Sequence, residues 1–349
     1  MNRTIETLQS EFANGIYIHA VDGPLTHNTG CLIEGLLDLG IPVNMNTART
    51  TSRPASMPLV NANINSLITE PHTDHSGFVV DITHTNMFVP FRGVEATRVA
   101  YFNQSDISIF CRIPDEHVLF VSHESKMASK GGQRRPIAFW LSKELISATK
   151  NRPDFSKRRR MALRNFRATL SQSVRALLDI SFIPGLEKYL PVDHTSYLPN
   201  SYMRAMLGSM VCLAYGGDFY APIASNPWFK KNDPALAGLH DFERFGAPAL
   251  VQRWDSFRLW ESFAAECLTV HLNFEKYGFA LPEIPTAWKH YAPIDLDDIA
   301  GSVTEIMDRE NEWGDIAANG RAWAIAHYAP KPTALRTLSE ILAHSENRA

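Results

Sequence analysis

The sequence predicts an α/β protein built from two successive Rossmann-like domains, each a parallel sheet flanked by helices. Three observations support this fold class. The chain has 349 residues, which is long for one ordinary core and comfortable for two. Residues 15–45 read as strand, loop, helix, glycine and strand, which is the beginning of a βαβ unit. After a basic, glycine-containing break at 125–136, a second series of helices and strands begins.

The composition excludes several classes of protein. Hydrophobic residues make up 45% and charged residues 20%, values typical of a soluble globular chain. The formal net charge is −3, with 34 basic and 37 acidic residues, which argues against general nucleic-acid binding because that requires a basic surplus. We therefore expect small-molecule or glycan partners and no general nucleic-acid binding, and a local basic patch stays open as an alternative.

The compartment is predicted from two further features. No apolar run approaches the roughly 20 residues that a membrane span needs, and the N-terminal residues MNRTIETLQSEFANG contain no apolar signal region. The four cysteines are far apart in the sequence and lie among apolar neighbours, so we expect free, buried thiols. These features predict a cytoplasmic protein without a transmembrane segment, which could still contact the inner face of a membrane.

The elements follow in order along the first half. Residues 15–20 are predicted as a buried strand, and the leucines at 32–39 recur at helical spacing before Gly40. Five further apolar segments are predicted as strands: IPVNM, SGFVVDITH (76–84), ATRVAYF (96–102), ISIFCR (107–112) and HVLFVSHES (117–125).

In the second half, PIAFWLS is predicted as a strand and KRRRMALRNFRATLSQSVRALLDI as largely helical. SYMRAMLGSMVCLAYGG indicates a helix that leads into a strand. Three more helices are predicted after residue 295. We place the first domain at 1–138 and the second at 139–330, with a terminal helix at 331–349 expected to pack back on the first domain.

The segment QRWDSFRLWESFAAECLTVHL (252–272) is the main candidate site. Asp255 or Ser256 can cap a helix that starts at Phe257, and the amino end of a helix favours anions. Arg253 and Arg258 beside that end would strengthen a diphosphate site. Glu261, one turn further on, could accept hydrogen bonds from the hydroxyls of a ribose. The alternative is an ordinary surface pair between Arg258 and Glu261.

The residues WDSFRLWESFAAECLTVHLNFEKYGFALP resemble the C-terminal motif of GT-B glycosyltransferases, particularly exostosin-like and related bacterial enzymes. The resemblance extends to ANGRAWAIAHYAP (318–330) and covers about the C-terminal half. It implies two Rossmann-like domains facing a cleft, with Arg258 and Glu261 at the nucleotide diphosphate and ribose. The family usually has Gly where this chain has Glu266, and a second Glu is absent because Thr269 stands at its place.

Two other segments add candidate donor contacts. In NFRATLSQSVR (165–175) and just before it, Arg164, Arg167 and Arg175 could hold phosphate oxygens, or could form a basic helical face. In YGGDFYAP (215–222), glycines at a strand end allow close approach of a ligand to the backbone. The predicted donor site comprises Arg167, Gly217, Asp218, Arg253, Asp255, Ser256, Phe257, Arg258 and Glu261.

The loop HAVDGPLTHNTG (19–30) supplies the candidates for a catalytic base. It follows the first strand, and ligands of open parallel sheets bind at the carboxyl ends of strands. His19, Asp22 or His27 could take the proton of an acceptor hydroxyl in an inverting enzyme, whereas a retaining enzyme would need no such base. The histidines of EPHTDHSG (70–77) have no recognised metal spacing, so we predict no metal and no cofactor other than the donor itself.

The predicted function is a hexosyltransferase-type enzyme of polysaccharide biosynthesis. It would move a sugar from a nucleotide-diphosphate donor to a glycan, lipid-linked or small-molecule acceptor without a metal. Two alternatives stay open. One is a non-catalytic subunit that binds nucleotide or glycan, and the other is a nucleotide-sugar epimerase of related fold.

Overall fold

The computed structural model describes residues 3–47, 67–72, 74–85, 88–90, 98–105, 111, 113–126, 133–166, 173–220 and 250–347. These residues form two compact units. Unit 1 draws on 1–124, 131–146 and 326–349, and unit 2 on 125–130 and 147–325. The sequence places the domain boundary at 138/139 and the returning segment at 331. In the structure unit 1 keeps the chain up to 124 and again at 131–146, unit 2 begins in earnest at 147, and the chain finally re-enters unit 1 at 326.

The described residues form thirteen strands and ten α-helices. The strands are β1 (Ile16–Ala20), β2 (Val43–Met45), β3 (Gly77–Asp81), β4 (Val99–Asn103), β5 (Val118–Val121), β6 (Arg134–Pro136), β7 (Arg159–Leu163), β8 (Val192–Asp193), β9 (Ser209–Leu213), β10 (Asp218–Tyr220), β11 (Leu250–Gln252), β12 (Leu268–Leu272) and β13 (Ala292–Ile294). The helices are α1 (Ile5–Glu11), α2 (His27–Asp38), α3 (Lys143–Ala148), α4 (Ser173–Ser181), α5 (Ile183–Leu186), α6 (Pro199–Leu207), α7 (Phe257–Ala264), α8 (Ile299–Asp308), α9 (Trp313–Tyr328) and α10 (Pro330–Glu346).

Unit 1 contains a six-stranded sheet in the order β2-β1-β3-β4-β5-β6, and every described pairing in it is parallel. The strands GFVVD, VAYFN and VLFV are buried at every position. Strands that read as continuous apolar runs are those covered on both faces, as in doubly wound sheets. The predicted strands at 15–20, 76–84, 96–102 and 117–125 correspond to β1, β3, β4 and β5.

The close packing of α2 on α10 explains one glycine of unit 1. A Cβ on Gly35 would lie 2.1 Å from the carbonyl oxygen of Pro330, the first residue of α10. A backbone atom cannot move aside as a side chain can, so only glycine fits here. The helix α2 is buried from His27 to Leu36 and therefore forms a central part of the core of unit 1.

Unit 2 contains a five-stranded sheet in the order β8-β7-β9-β12-β13, again with parallel pairings. Numbered within the unit this order is 2-1-3-4-5, one of the two common arrangements of doubly wound sheets. The strands β10 and β11 form a separate antiparallel pair. The prediction of an α/β fold with two Rossmann-like domains is thus confirmed.

Two local predictions are wrong. The segment 157–180 is not one long helix, because β7 occupies Arg159–Leu163, and the helix described in it is α4 from Ser173 onward. The arginines and leucine of RRMAL favour a helix, but pairing with β8 and β9 overrides that preference. The strand predicted at PIAFWLS (136–142) is also misplaced, because the observed strand β6 spans Arg134–Pro136 and ends at the first residue of that segment. Most of the segment predicted as a strand at 107–112 lies outside the described residues.

Glu266 lies just after the C-terminal end of α7, at a position where the resemblance predicts glycine. This residue adopts a left-handed conformation, with φ 57°, where glycine is the usual choice. Its N–H donates to the carbonyl of Phe263 at 3.0 Å, and its carboxylate accepts from Nε of Arg152 at 2.8 Å. Glu266 therefore makes the tight turn for which glycine is the usual residue, at a cost of about 1–2 kcal/mol that the ion pair helps to offset.

All four cysteines are free and buried, as the sequence predicts. No helix in the described part of the chain has the length and apolar character that a membrane crossing requires.

Candidate functional site

The strand order of unit 2 places a switch point between β7 and β9. Chain connections leave these two neighbouring strands in opposite directions, and ligands of such sheets bind beyond the carboxyl ends of the strands at this point. The strand β7 ends at Leu163 and β9 at Leu213. The residues that follow, 164–166 and 214–217, are consequently the first place to look for a site.

Three arginines surround one phenylalanine at this place. The guanidinium carbons of Arg164, Arg175 and Arg258 lie 4.4, 5.2 and 5.4 Å from the ring centroid of Phe166. We call these three residues the arginine cluster. They come from the end of β7, the first turn of α4 and the first turn of α7 respectively. The tertiary structure thus gathers cations that are up to 94 positions apart in the sequence.

The members of the arginine cluster differ in what they bind. Arg164 pairs with both carboxylate oxygens of Asp179, with Nε 2.9 Å from Oδ1. Arg175 donates from Nε to the carbonyl of Tyr215 at 3.3 Å. Arg258 has no hydrogen-bond or ion-pair partner among the described residues, and its Nε is buried. A buried donor without an acceptor is costly, so this guanidinium is well placed for a ligand oxygen.

A buried tyrosine adds a second donor without an acceptor. Tyr215 is fully buried, and its ring meets that of Phe166 edge-on at 5.2 Å. Its hydroxyl has no hydrogen-bond partner in the described structure. Burial, and then the nearby carboxylate of Asp179, raise the pKa of Tyr215 well above its ordinary value, so the hydroxyl keeps its proton and remains a donor.

Two glycines shape the loop that follows β9. A Cβ on Gly216 would lie 3.1 Å from Nη2 of Arg175, so the guanidinium of Arg175 packs closely against this glycine. Gly217 has φ 120°, a conformation that L side chains rarely adopt, and its carbonyl accepts from Val174 N at 3.2 Å. This bond ties the loop to the amino end of α4 and so fixes Arg175 beside it.

The helix predicted to open at Phe257 does so, as α7. Ser256 is the cap, because its hydroxyl accepts from Leu259 N at 3.4 Å. Asp255, the other predicted cap, is 3% exposed and accepts from Nε1 of Trp260 at 2.7 Å. Asp255 therefore anchors the helix from inside the core of unit 2, and Ser256 is the residue whose side chain caps the amino end.

Glu261 is 6% exposed and lies one turn from Arg258. Its Oε2 accepts from the hydroxyl of Tyr202 at 3.0 Å. Burial, and next the charge of Glu261, raise the pKa of Tyr202 well above its usual value, so this bond is retained across physiological pH. The alternative of a surface pair with Arg258 does not hold, since Glu261 is buried.

The remaining donor-site predictions fall in different places. Arg253 is half-buried at the end of β11, in a left-handed conformation with φ 53°. Asp218 opens β10. Arg167 lies outside the described residues. Phe166 and Tyr215 are absent from the predicted site. Phe166 was missed because a helix at 157–180 leaves no strand end at Leu163. Tyr215 lies in the candidate segment 215–222, but nothing in the sequence shows that its hydroxyl is buried.

In unit 1 the three predicted bases have unlike surroundings. His27 is the first residue of α2 and is 2% exposed, with Nε2 3.2 Å from the carbonyl of Trp140. Burial lowers its pKa to about 4. Asp22 is exposed in the loop after β1, with φ 52°. His19 is half-buried and lines a cavity, and burial lowers its pKa despite the opposing charge of Asp22.

The amino end of α2 in unit 1 is already filled by a carboxylate. Asp81, at the end of β3, is 1% exposed. Its Oδ2 accepts from the N and Oγ1 of Thr26 and from Oγ1 of Thr29, at 3.3, 2.7 and 3.0 Å. A second anion at this helix end would be repelled, so an anionic ligand is expected at unit 2 instead.

Among the residues that the structure describes, no group of three or more histidines, cysteines or carboxylates lies close enough to hold a metal ion.

Comparison with known proteins identifies the fold. No family model matches the sequence, and a search of curated proteins finds no match. Among solved structures, an alpha-glucosyltransferase in complex with UDP-glucose and DNA containing an abasic site is similar with a TM-score of 0.52 at 12% identity, over 94% of this chain and 99% of that one. The same coverage and TM-score hold for an alpha-glucosyltransferase in complex with UDP, at 11% identity. This likeness confirms the predicted GT-B fold.

Proposed function

We propose that the protein is a glycosyltransferase that takes a hexose from a nucleoside-diphosphate sugar. The observation that carries this proposal is the arginine cluster at the switch point of unit 2. Three guanidinium groups meet there, against the carboxylates of Asp179 and Glu261, so the site keeps a surplus of positive charge. A diphosphate is the ligand that suits such a site, because guanidinium groups bind its oxygens bidentately.

The arginine cluster fits the chemistry of sugar transfer. As the bond between C1 of the sugar and the diphosphate oxygen breaks, negative charge grows on the leaving group. Arg258 and Arg175 at the amino ends of α7 and α4 would stabilise that charge without a metal ion, since both helix ends and both guanidinium groups are positive. The predicted contacts of Arg167, Arg253, Ser256, Phe257, Gly217 and Asp218 with the donor, and of Glu261 with its ribose, belong to this proposal.

Uridine diphosphate is our proposed carrier. The alpha-glucosyltransferases that share the fold are described with UDP or UDP-glucose. This likeness covers 94% of the chain and therefore reaches both units, which supports a donor site in unit 2 together with an acceptor site in unit 1.

His19 is our proposed base in unit 1, if the reaction inverts the anomeric carbon. Its lowered pKa leaves the imidazole neutral at pH 7 and able to accept a proton. The acceptor oxygen would bond to C1 as an imidazole nitrogen takes its proton, and the diphosphate would leave with the electron pair of the broken bond. Asp22 would favour the imidazolium that forms, whereas the buried His27 is less suited to the role.

The first test is calorimetric binding of UDP and UDP-glucose. We expect micromolar binding to the native chain, and we expect Arg258→Ala to weaken it at least about tenfold, which corresponds to ~1.4 kcal/mol. The matched control is Arg160→Ala, because Arg160 belongs to the same unit and pairs with Glu310 on its exposed surface. Equal losses in both variants, or none in either, would contradict a donor site at Arg258.

A second measurement separates the remaining alternatives. The protein is incubated with UDP-glucose, first alone and then with hydroxyl acceptors, and the products are analysed. Transfer to an acceptor supports the proposal. A new nucleotide sugar formed from donor alone indicates the epimerase, and tight binding without any turnover indicates the non-catalytic subunit.

A further inference from the structure

Unit 1 contains a cavity of about 460 Å³ on the face of its sheet. Tyr17 and His19 of β1 point to the same face, where their register partners on β3 are Phe78 and Val80. Tyr17, His19, Val21 and Val80 all line the cavity. The volume is in the range of pockets that enclose small organic ligands.

The lining is mostly apolar. Five aliphatic side chains contribute to it: Val21, Pro71, Val80, Val89 and Pro90. The hydroxyl of Tyr17 is used internally, since it donates to the carbonyl of Thr69 at 3.0 Å. Both amide atoms of Asn46 bond the backbone of Ala20, at 2.9 and 3.0 Å. These two residues therefore present little spare hydrogen-bonding capacity to a ligand.

His19 and Glu70 supply the remaining polarity. Glu70 is exposed, and in the described structure no hydrogen bond or ion pair neutralises its carboxylate. The charge of Glu70 acts at the cavity, because it is the second cause, after burial, of the raised pKa of the lining residue Tyr17. An anion in this cavity would meet that negative charge, whereas a neutral or cationic group would not be opposed.

We propose that this cavity holds the acceptor, and that the acceptor is a non-anionic alcohol with an apolar ring. The inference rests on the proposed function and narrows its acceptor class. The ring would contact the aliphatic side chains, and the hydroxyl would lie at His19. A free sugar ring carries several hydroxyls and needs more partners than this lining offers, and a phosphorylated acceptor would be repelled by Glu70.

A matched series of probes tests the proposal by saturation-transfer NMR. The probes are 4-methylbenzyl alcohol, 4-(aminomethyl)benzyl alcohol, 4-(hydroxymethyl)benzoate and methyl α-glucoside. The first three share a ring and a hydroxyl and differ in charge. We expect the neutral and cationic alcohols to bind, the carboxylate to bind about fivefold more weakly, and the glucoside to bind least.

Two variants locate the binding. Glu70→Gln should remove most of the discrimination against the carboxylate, while Glu6→Gln, an exposed glutamate on α1 of the same unit, should leave it unchanged. Val89→Phe should fill the cavity and weaken every probe, with thermal unfolding as the check on folding. Equal binding of carboxylate and neutral alcohol, tighter binding of the glucoside, or no effect of Glu70→Gln would overturn the proposal.

Probe binding is measured without donor, so the two proposals can fail separately. Loss of UDP binding with intact probe binding would contradict the donor site alone. Loss of probe binding with intact UDP binding would contradict the acceptor class alone.

Discussion

At the scale of single residues, two hydrogen-bond donors of the proposed donor site lack an acceptor within the described chain. Arg258 is half-buried, and the structure offers its guanidinium a phenylalanine face and, within the described chain, no acceptor. Tyr215 presents a buried hydroxyl in the same condition. Each unmet donor costs about 1–3 kcal/mol in the empty site, which a bound diphosphate would recover.

Gly216 offers a test of the arginine cluster that leaves all its charges in place. Gly216→Ala should push the guanidinium of Arg175 aside, because the new Cβ would lie 3.1 Å from Nη2. We expect UDP affinity, measured by calorimetry, to fall about fivefold, or ~1 kcal/mol, with little change in thermal stability.

The control for that variant is Gly208→Ala, whose Cβ would meet nothing nearer than the carbonyl of Arg204 at 3.4 Å. Unchanged UDP affinity in Gly216→Ala would show that the position of Arg175 does not matter for binding.

At the scale of elements, buried charge links α2 to α3. Glu34 of α2 is 4% exposed, and its Oε2 accepts from the backbone N of Lys143, the first residue of α3. Burial raises the pKa of Glu34 to about 7, against the opposing effect of that bond and of the Lys143 charge. The carboxyl is therefore half-protonated near neutral pH, while in the unfolded chain it ionises near its ordinary pKa of 4.5.

This difference predicts how stability depends on pH. Below about pH 4.5 Glu34 is protonated in both the folded and the unfolded state, so its burial does not yet lower the free energy of unfolding. Between pH 4.5 and 7 the folded state binds more protons than the unfolded state, so the free energy of unfolding falls as pH rises. Glu34→Gln does not titrate, so by pH 8 the variant should gain roughly 3 kcal/mol relative to the native chain.

Urea unfolding at pH 5 and at pH 8 measures that gain. Glu144→Gln is the control, because Glu144 is a half-buried neighbouring carboxylate of the same helix pair, and its charge is the smallest of the causes that raise the pKa of Glu34. A constant difference between native chain and Glu34→Gln at both pH values would contradict the raised pKa.

At the scale of the whole molecule, two sheets of the same kind carry opposite electrostatics. In unit 1 the amino end of α2 is closed by Asp81, whereas in unit 2 the switch point collects the arginine cluster. This difference is consistent with our proposal that unit 2 binds an anionic donor and unit 1 a ligand without negative charge.

The four cysteines report on the integrity of both units. Cys31 and Cys111 belong to unit 1 and Cys212 and Cys267 to unit 2, and all four are buried. Burial raises the pKa of each thiol, which keeps the reactive thiolate scarce. We expect Ellman's reagent to react with the native protein on the order of 100-fold more slowly than with glutathione.

In guanidinium chloride all four thiols should react at once. A native thiol that reacts at the rate of glutathione would identify a cysteine that the fold leaves accessible, and comparing Cys→Ser variants would locate it in one unit.

The sequence by itself determined the fold class and the start of α7. Continuous apolar runs between glycines and prolines predict buried parallel strands, because this pattern is visible in neighbouring residues without knowledge of tertiary contacts. Ser256 followed by an apolar repeat predicts a capped helix for the same reason, because capping acts between residues three positions apart. The sequence also suggested Arg258 as a site residue, because a helix start and an adjacent cation can both be recognised from neighbouring residues.

Only the tertiary structure decided which residues meet. RRMAL becomes a strand because β8 and β9 pair with it, and that pairing brings Phe166 to the site. Asp255 accepts a hydrogen bond from Trp260, and Glu261 accepts one from Tyr202. Tyr202 is 59 positions away from Glu261, so sequence spacing does not reveal this second pair. The physical reason is range: caps and periodicity act within a turn or two, whereas the charge of a site is summed over side chains that only folding brings within a few ångströms.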